Sequence, residues 1–265
     1  MAIPRGLEPT GVILVDKPAG PSSFAVLAGV RARTRAKTGH AGTLDPFATG
    51  LLLLLSGKAT TMASCFVGLP KRYLTDVDLS VRTTTGDPEG ESLEPHDPPT
   101  ESVLEAALEG LRGEVELPIP TASAVKIGGE RAYNLHRRGV AVEMPLRRSQ
   151  VDALDVIAYT EGIVTLDLRV SSGTYVRSIA DALGGHCLGL RRTEVGPFSV
   201  AEADAERVLD LEEALGRVGL TLAEAEAARR QKSLNDRQAQ LARHAGDDAA
   251  DGGRAPDGSG GQGAS

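Results

Sequence analysis

Residues 11–16 (GVILVD) form a short apolar run closed by Lys17, Pro18 and the loop formers up to Pro21, the pattern of a buried strand running into a rigid turn. Ser22 or Ser23 then caps a helix whose apolar positions Phe24, Leu27 and Val30 recur at the helical period, and which ends in a basic cluster at 31–37. The glycine-rich segment 38–46 (TGHAGTLDP) reads as a loop, 51–55 (LLLLL) as a fully buried strand, and 58–67 as a helix. From Tyr73 the positions Tyr73, Thr75, Val77, Leu79 and Val81 alternate with polar residues, the period of a half-buried strand. A polar, proline-rich connection over 83–99 precedes Thr100, which caps a helix containing Val103, Leu104, Ala107, Leu108 and Leu111. Segments 151–159 and 163–170 form a strand pair turned by Thr160-Glu161-Gly162, and 171–174 leads into a helix over about 175–187. Strands interleaved with helices in this way predict a mixed α/β (α+β) sheet.

The chain has 265 residues, 41% hydrophobic and 25% charged, which suits one sizeable core with an appendage. The reading places a body over 1–222 with a basic, mobile insertion over about 120–142, a short helical segment over 223–245, and a disordered tail rich in Gly, Asp, Ala and Ser over 246–265. The longest apolar run, 51–55, is far short of a membrane span, and residues 1–10 lack the apolar stretch of a signal peptide, so a cytoplasmic location is expected. Cys65 and Cys187 read as two reduced thiols. A net charge of −7 argues against a nucleic-acid partner until its distribution is considered. Residues 1–73 hold nine basic side chains against three acidic ones, whereas the remainder holds 20 against 33. A basic face on an acidic body suits contact with phosphates, although the cluster carrying Arg31 and Arg33 also fits a merely solvated helix face.

Asp45 is the most informative acid, set in a glycine-flanked loop beside Pro46 and just ahead of the packed 51–55 run. A carboxylate so placed suits a nucleophile or base, and equally a turn-forming aspartate; His40 reads more readily as a hydrogen-bonded loop histidine than as a general base. Lys71-Arg72-Tyr73 sets an aromatic after two cations at the start of a strand, so Tyr73 is a candidate platform for stacking a base, or else a core tyrosine. Gly173-Thr174-Tyr175-Val176-Arg177 puts a tyrosine and an arginine at a helix start, where Arg177 can pair with a distant carboxylate such as Asp45 and keep it ionised. Gly57-Lys58 is not a phosphate-binding loop: Gly50 lies seven residues earlier, rather than five, and Ala59 stands where a magnesium-holding hydroxyl is needed. The five histidines have no ligand spacing, so no cofactor and no metal are expected.

Taken together, the motifs GVILVDKPAGP (11–21), GHAGTLDPFATG (39–50), GKAT (57–60), KRY (71–73), SAVK (123–126), GTYVR (173–177) and LRR (190–192) resemble the TruB family of bacterial tRNA pseudouridine synthases over roughly 11–215. The resemblance implies the pseudouridine synthase fold, a largely antiparallel central sheet flanked by helices with a central RNA-binding cleft. It implies isomerisation of a uridine at position 55 in the T-loop of tRNA, with the base flipped out of the stack. On this resemblance Asp45 is the nucleophile or base, Tyr73 stacks on the base and helps remove the C5 proton, and Arg177 is the salt-bridge partner of Asp45. His40 packs against rearranged loop nucleotides, Lys17 and Pro18 support the catalytic loop, and Tyr175 is a pocket wall. Lys58 and Lys126 are further RNA contacts, Lys126 from the insertion that clamps the T-arm, and the charge distribution, apart from the resemblance, adds Arg31 and Arg33 as expected RNA contacts.

The partner expected is the tRNA T-arm stem-loop, with no membrane, no guide RNA and a monomeric enzyme. Departures from relatives are Thr61 where many carry lysine, Thr84 where aspartate is frequent although Asp87 is kept, and a chain one residue short around 120–123. No strand-rich RNA-binding appendage follows Leu220. The competing readings are a tRNA-folding chaperone in which catalysis is secondary, a cysteine-dependent uridine methyltransferase, and a guide-RNA-dependent synthase. Intact Asp45, Tyr73 and Arg177 oppose the first, the absence of a glycine-rich adenosyl-binding fingerprint opposes the second, and the compact chain opposes the third.

Overall fold

The computed structural model describes residues 10–251. Strand β1 (Gly11–Lys17) leads to helix α1 (Ser23–Thr34), then β2 (Thr38–His40) and β3 (Thr49–Ser56). A 3₁₀ turn over Gly57–Met62 and helix α2 (Ala63–Val67) precede β4 (Lys71–Asp78), α3 (Glu101–Glu109) and β5 (Gly113–Pro118). Next come β6 (Lys126–Ile127), β7 (Glu130–Arg131), α4 (Ala132–Arg137), β8 (Leu146–Thr160), β9 (Ile163–Val170), α5 (Val176–Ala182) and β10 (His186–Val195). The body ends with β11 (Phe198–Ser199), β12 (Leu209–Asp210) and α6 (Leu211–Arg217). A second unit, starting after Thr221, carries helix α7 (Leu222–Asp251).

Ten strands form one mixed, largely antiparallel sheet with the main order β12-β1-β3-β10-β4-β9-β8-β5, to which β2 and β11 add at β3 and β10. Strand β10 joins the two halves: it runs parallel to β3 through Arg191↔Thr49 and Arg192↔Gly50, and antiparallel to β4. That approach demands glycine at position 50, since φ there is +101° and a Cβ would stand 2.2 Å from the Arg192 carbonyl oxygen. Leu51 to Leu55 are wholly buried because β3 is covered on both faces, which is why the run shows no alternation. Leu52 and Leu54 pack with Ile13, Val15, Leu27 and Val30 under α1. On the other half of the sheet, Val77, Leu166 and Leu168 pack against Leu104 and Leu108 of α3 and Ile179 of α5.

Several local expectations change. Ser22 is the N-cap of α1, accepting from the Ala25 N–H, but Phe24 is 71% exposed and the buried stripe is Ser23, Leu27 and Val30. Val103 likewise faces solvent on α3, and Thr100 makes no capping bond. Residues 38–40 are strand rather than loop, because β2 adds to the free end of β3. The helix expected over 175–187 stops at Ala182: Gly184 takes φ +88°, Gly185 packs against the Asp78 carbonyl, and Cys187 already lies in β10. Strand β8 begins five residues before the expected start, pairing with β5. Helix α7 runs six residues beyond 245, and the rest of the expected tail, 252–265, lies outside the described residues.

Candidate active site

Residues 41–48 link β2 to β3, and almost every one of 41–46 has its own anchor. The Ala41 N–H donates to the Leu53 carbonyl at 2.9 Å. The carbonyls of Gly42 and Thr43 accept from the Arg192 guanidinium at 3.2 Å each. Ser23 Oγ accepts from the Leu44 N–H at 2.7 Å and donates to the Leu44 carbonyl at 2.8 Å, so the start of α1 is pinned to the loop. The Pro46 carbonyl accepts from Lys17 Nζ at 3.1 Å and from the Gly20 N–H at 2.9 Å. Held on both sides, Asp45 presents its half-exposed carboxylate to Arg177.

Arg177 enters from the first turn of α5 and is 3% exposed. Its Nε lies 2.9 Å from Asp45 Oδ2, and its Nη1 lies 3.1 Å from Asp87 Oδ2. Nη1 also donates to the Thr85 carbonyl at 2.8 Å, and Nη2 to the Ala122 carbonyl at 2.9 Å. One guanidinium is therefore shared by two carboxylates, and it also ties the base of the insertion to the loop that carries Asp45. Asp87 is buried within the 83–92 turn, where its Oδ1 accepts from Thr85 Oγ1 at 2.6 Å and from the Glu89 N–H at 3.1 Å. Burial pushes the Asp45 carboxyl above the usual aspartate range; Arg177 pulls it down and Asp87 pushes it back up. Arg177 therefore favours the ionised carboxylate against burial. The pairing opposes the effect of burial without cancelling it.

A cleft of about 200 Å³ opens over this pair, and Tyr73, Tyr175, Lys71, Leu190 and Arg192 complete its walls. Tyr73 is placed by β4, opposite Arg192 of β10 in register. Tyr175 is the N-cap residue of α5, half-buried, with its phenol pushed upward chiefly by burial. Lys71 is buried, donates to the Val67 and Leu69 carbonyls at 2.6 Å each and to Ser172 Oγ at 3.0 Å, and is brought down to about 8 by burial and by Arg192. Among the described residues no group of three or more His, Cys, Asp or Glu side chains is arranged to hold a metal ion.

The sequence-derived candidates separate accordingly. Asp45, Tyr73, Tyr175 and Arg177 meet at the cleft. Lys17 does not face substrate: it is 0% exposed, and its ammonium donates to the carbonyls of Pro18, Pro21 and Pro46. Pro18 is exposed. His40 lies on β2 outside the cleft lining, with Nδ1 buried and unpartnered and its pKa lowered by burial and by Arg192. Arg31, Lys58 and Lys126 are exposed cations, whereas Arg33 is already paired with Glu206 and the Ala205 carbonyl. Asp87 and Arg192 received no role from the sequence, because nothing local distinguishes a turn aspartate or a strand arginine until distant segments are brought together.

The family model for the N-terminal domain of TruB family pseudouridylate synthase matches residues 30–176. The chain is 39% identical over 250 residues to a tRNA pseudouridine synthase B of Mycobacterium bovis (strain BCG / Pasteur 1173P2), covering 84% of each chain. It is 39% identical over 256 residues to the enzyme of the same name in Corynebacterium efficiens, covering 87% of this chain and 86% of the other. Among solved structures, a chain of a Cbf5-Nop10-Gar1 complex matches with a TM-score of 0.56 and 28% identity; the match covers 75% of this chain and 56% of that longer one. A chain of an H/ACA RNP bound to a substrate RNA containing 2′-deoxyuridine shares the fold at a TM-score of 0.57 and 23% identity. Matched in sequence over most of its length, and carrying a carboxylate and a guanidinium joined at the floor of a cleft, the chain belongs to the TruB family of pseudouridylate synthases.

Proposed function

We propose that this protein isomerises uridine 55 in the T-loop of tRNA to pseudouridine, acting on the T-arm without a guide RNA, as a cytoplasmic monomer. The observation that carries the reading is the Asp45–Arg177 pair at 2.9 Å, set in a cleft walled by two tyrosines. The target uridine is stacked inside a folded loop, so it must be everted at a cost of about a few kcal/mol before a carboxylate can reach its sugar. Tyr73 offers a ring for the everted base to stack against. Asp45 then either attacks C1′ or removes the C2′ proton; in both routes the N1–C1′ bond breaks, the uracil rotates and a C5–C1′ bond forms, which displaces the Asp45 carboxylate from C1′ in the first route and is accompanied by return of the proton from Asp45 to C2′ in the second. The C5 proton leaves to solvent with help from Tyr73, and N1 gains a proton, so no oxidant, reductant or second substrate is consumed.

The exposed cations Arg31, Lys58 and Lys126 supply salt-dependent attraction for RNA phosphates. Arg33, neutralised by Glu206, adds less. Thr61 donates to the Lys58 carbonyl and offers no charge in place of the lysine common among relatives. No helix among the described residues is long and apolar enough to cross a membrane.

The test is incubation of the purified chain, without added cofactor, with a T-arm hairpin carrying tritium at uridine C5. Tritium release and pseudouridine at the target position support the reading; RNA binding with no release would leave the chaperone alternative in its place. A pH dependence follows as well. Asp45 works as the carboxylate and its pKa is raised, so the rate falls as pH drops through a value above the ordinary aspartate range. A single-turnover pH profile with its acid limb at or below that range would contradict this.

A further inference from the structure

Of the anchors that fix the catalytic loop, the one at Arg192 places a guanidinium almost wholly out of water. This side chain is 1% exposed, and its Nε donates to the Leu51 carbonyl at 2.7 Å while its two terminal nitrogens hold the carbonyls of Thr43 and Gly42. Every one of these partners is a neutral carbonyl, and among the described residues no carboxylate forms an ion pair with the buried charge. What the guanidinium provides is a rigid planar fork that a lysine cannot reproduce. The fork bridges the buried strand β3 to the two residues standing just ahead of Leu44 and Asp45. Gly42 takes φ +106° there, and a Cβ on it would lie 3.9 Å from Arg192 Nη1. The Arg192 charge lowers the pKa values of His40 and Lys71, whereas the Asp45 shift traces to burial, Arg177, Asp87 and Lys17.

We propose that Arg192 is a positioning residue for the isomerisation, holding Gly42 and Thr43 against β3 so that the Asp45 carboxylate is aimed at the everted nucleotide. This rests on the isomerase reading above. It acts on the geometry of Asp45 and not on its charge, so it governs the rate of the chemical step while leaving RNA affinity and the acid limb of the pH profile in place.

The experiment compares the parent protein with Arg192→Lys, Gly42→Ala and the double variant on a T-arm hairpin, measuring single-turnover rate, Kd and thermal unfolding. Arg192→Lys keeps the charge but cannot span all three carbonyls, so a rate loss of about 10- to 100-fold is expected, the cost typical of a misplaced reacting group. Kd stays within about threefold and the acid limb is unmoved, since neither depends on the fork. Gly42→Ala loosens the same anchor from its other side, so the double variant is little worse than Arg192→Lys alone. A parent-like rate in Arg192→Lys, a proportional loss of affinity, or a displaced acid limb would overturn the proposal. If Arg192→Lys does not fold, Gly42→Ala decides: a slower step at constant Kd supports the positioning role, and an unchanged rate overturns it. An inactive parent would overturn the isomerase reading itself, whereas an active parent with equally active variants overturns only the role of Arg192.

Discussion

Asp45→Asn is expected to lower tritium release from a C5-labelled T-arm hairpin by about 10⁴-fold or more, with hairpin binding changed by less than about tenfold. Asparagine has the shape of aspartate, and its amide oxygen can still accept from Arg177 Nε, so the anchors of residues 41–46 keep their partners. What disappears is the negative charge that either attacks C1′ or takes the C2′ proton. Since the carboxylate enters both routes, the substitution removes chemistry without choosing between them. Substantial residual turnover would mean that another group is the nucleophile or base.

Arg177→Lys is expected to cost the rate about 10²- to 10³-fold while affinity stays nearly constant. The guanidinium contacts four partners at once: Asp45, Asp87, the Thr85 carbonyl and the Ala122 carbonyl. A lysine ammonium is a point donor and cannot face all of them, so Asp45 loses its aim, and the buried Asp87 is left with Thr85 and Glu89 alone. Asp87 then loses a direct bond to its cation while the lysine charge stays nearby, which also destabilises the fold, by roughly 1–3 kcal/mol. Single-turnover kinetics beside urea unfolding separate the two losses. A rate fall no larger than the loss of folded protein would show that Arg177 is structural only.

Residues that act within one segment were legible in the sequence. The buried β3 leucines and the buried Tyr73, Thr75 and Val77 of β4 follow from local periodicity, and of the two serines read as possible caps the structure uses Ser22; β4 ends at Asp78, short of the Leu79 and Val81 read into it. Asp45, Tyr73 and Arg177 were singled out by their settings and by the family resemblance, and the fold brings them to one cleft. What could not be read depends on partners far along the chain. Ser23 displaces Phe24 from the buried face of α1 because its hydroxyl closes two bonds with Leu44. Residues 38–40 become strand only because β3 has a free edge, and Cys187 leaves its expected helix because two glycines turn the chain into β10. Asp87 and Arg192 gain their significance from contacts 90 and 149 residues away, with Arg177 and Thr43.

The central claim is that an everted uridine meets the Asp45 carboxylate, and a structure of the Asp45→Asn protein bound to a T-arm hairpin tests it most directly. The account predicts the target nucleotide out of its stack, its base against the Tyr73 ring, and C1′ or C2′ within about 3.5 Å of the residue 45 side chain. A target uridine still stacked in the loop, or everted into a part of the protein away from residue 45, would contradict it.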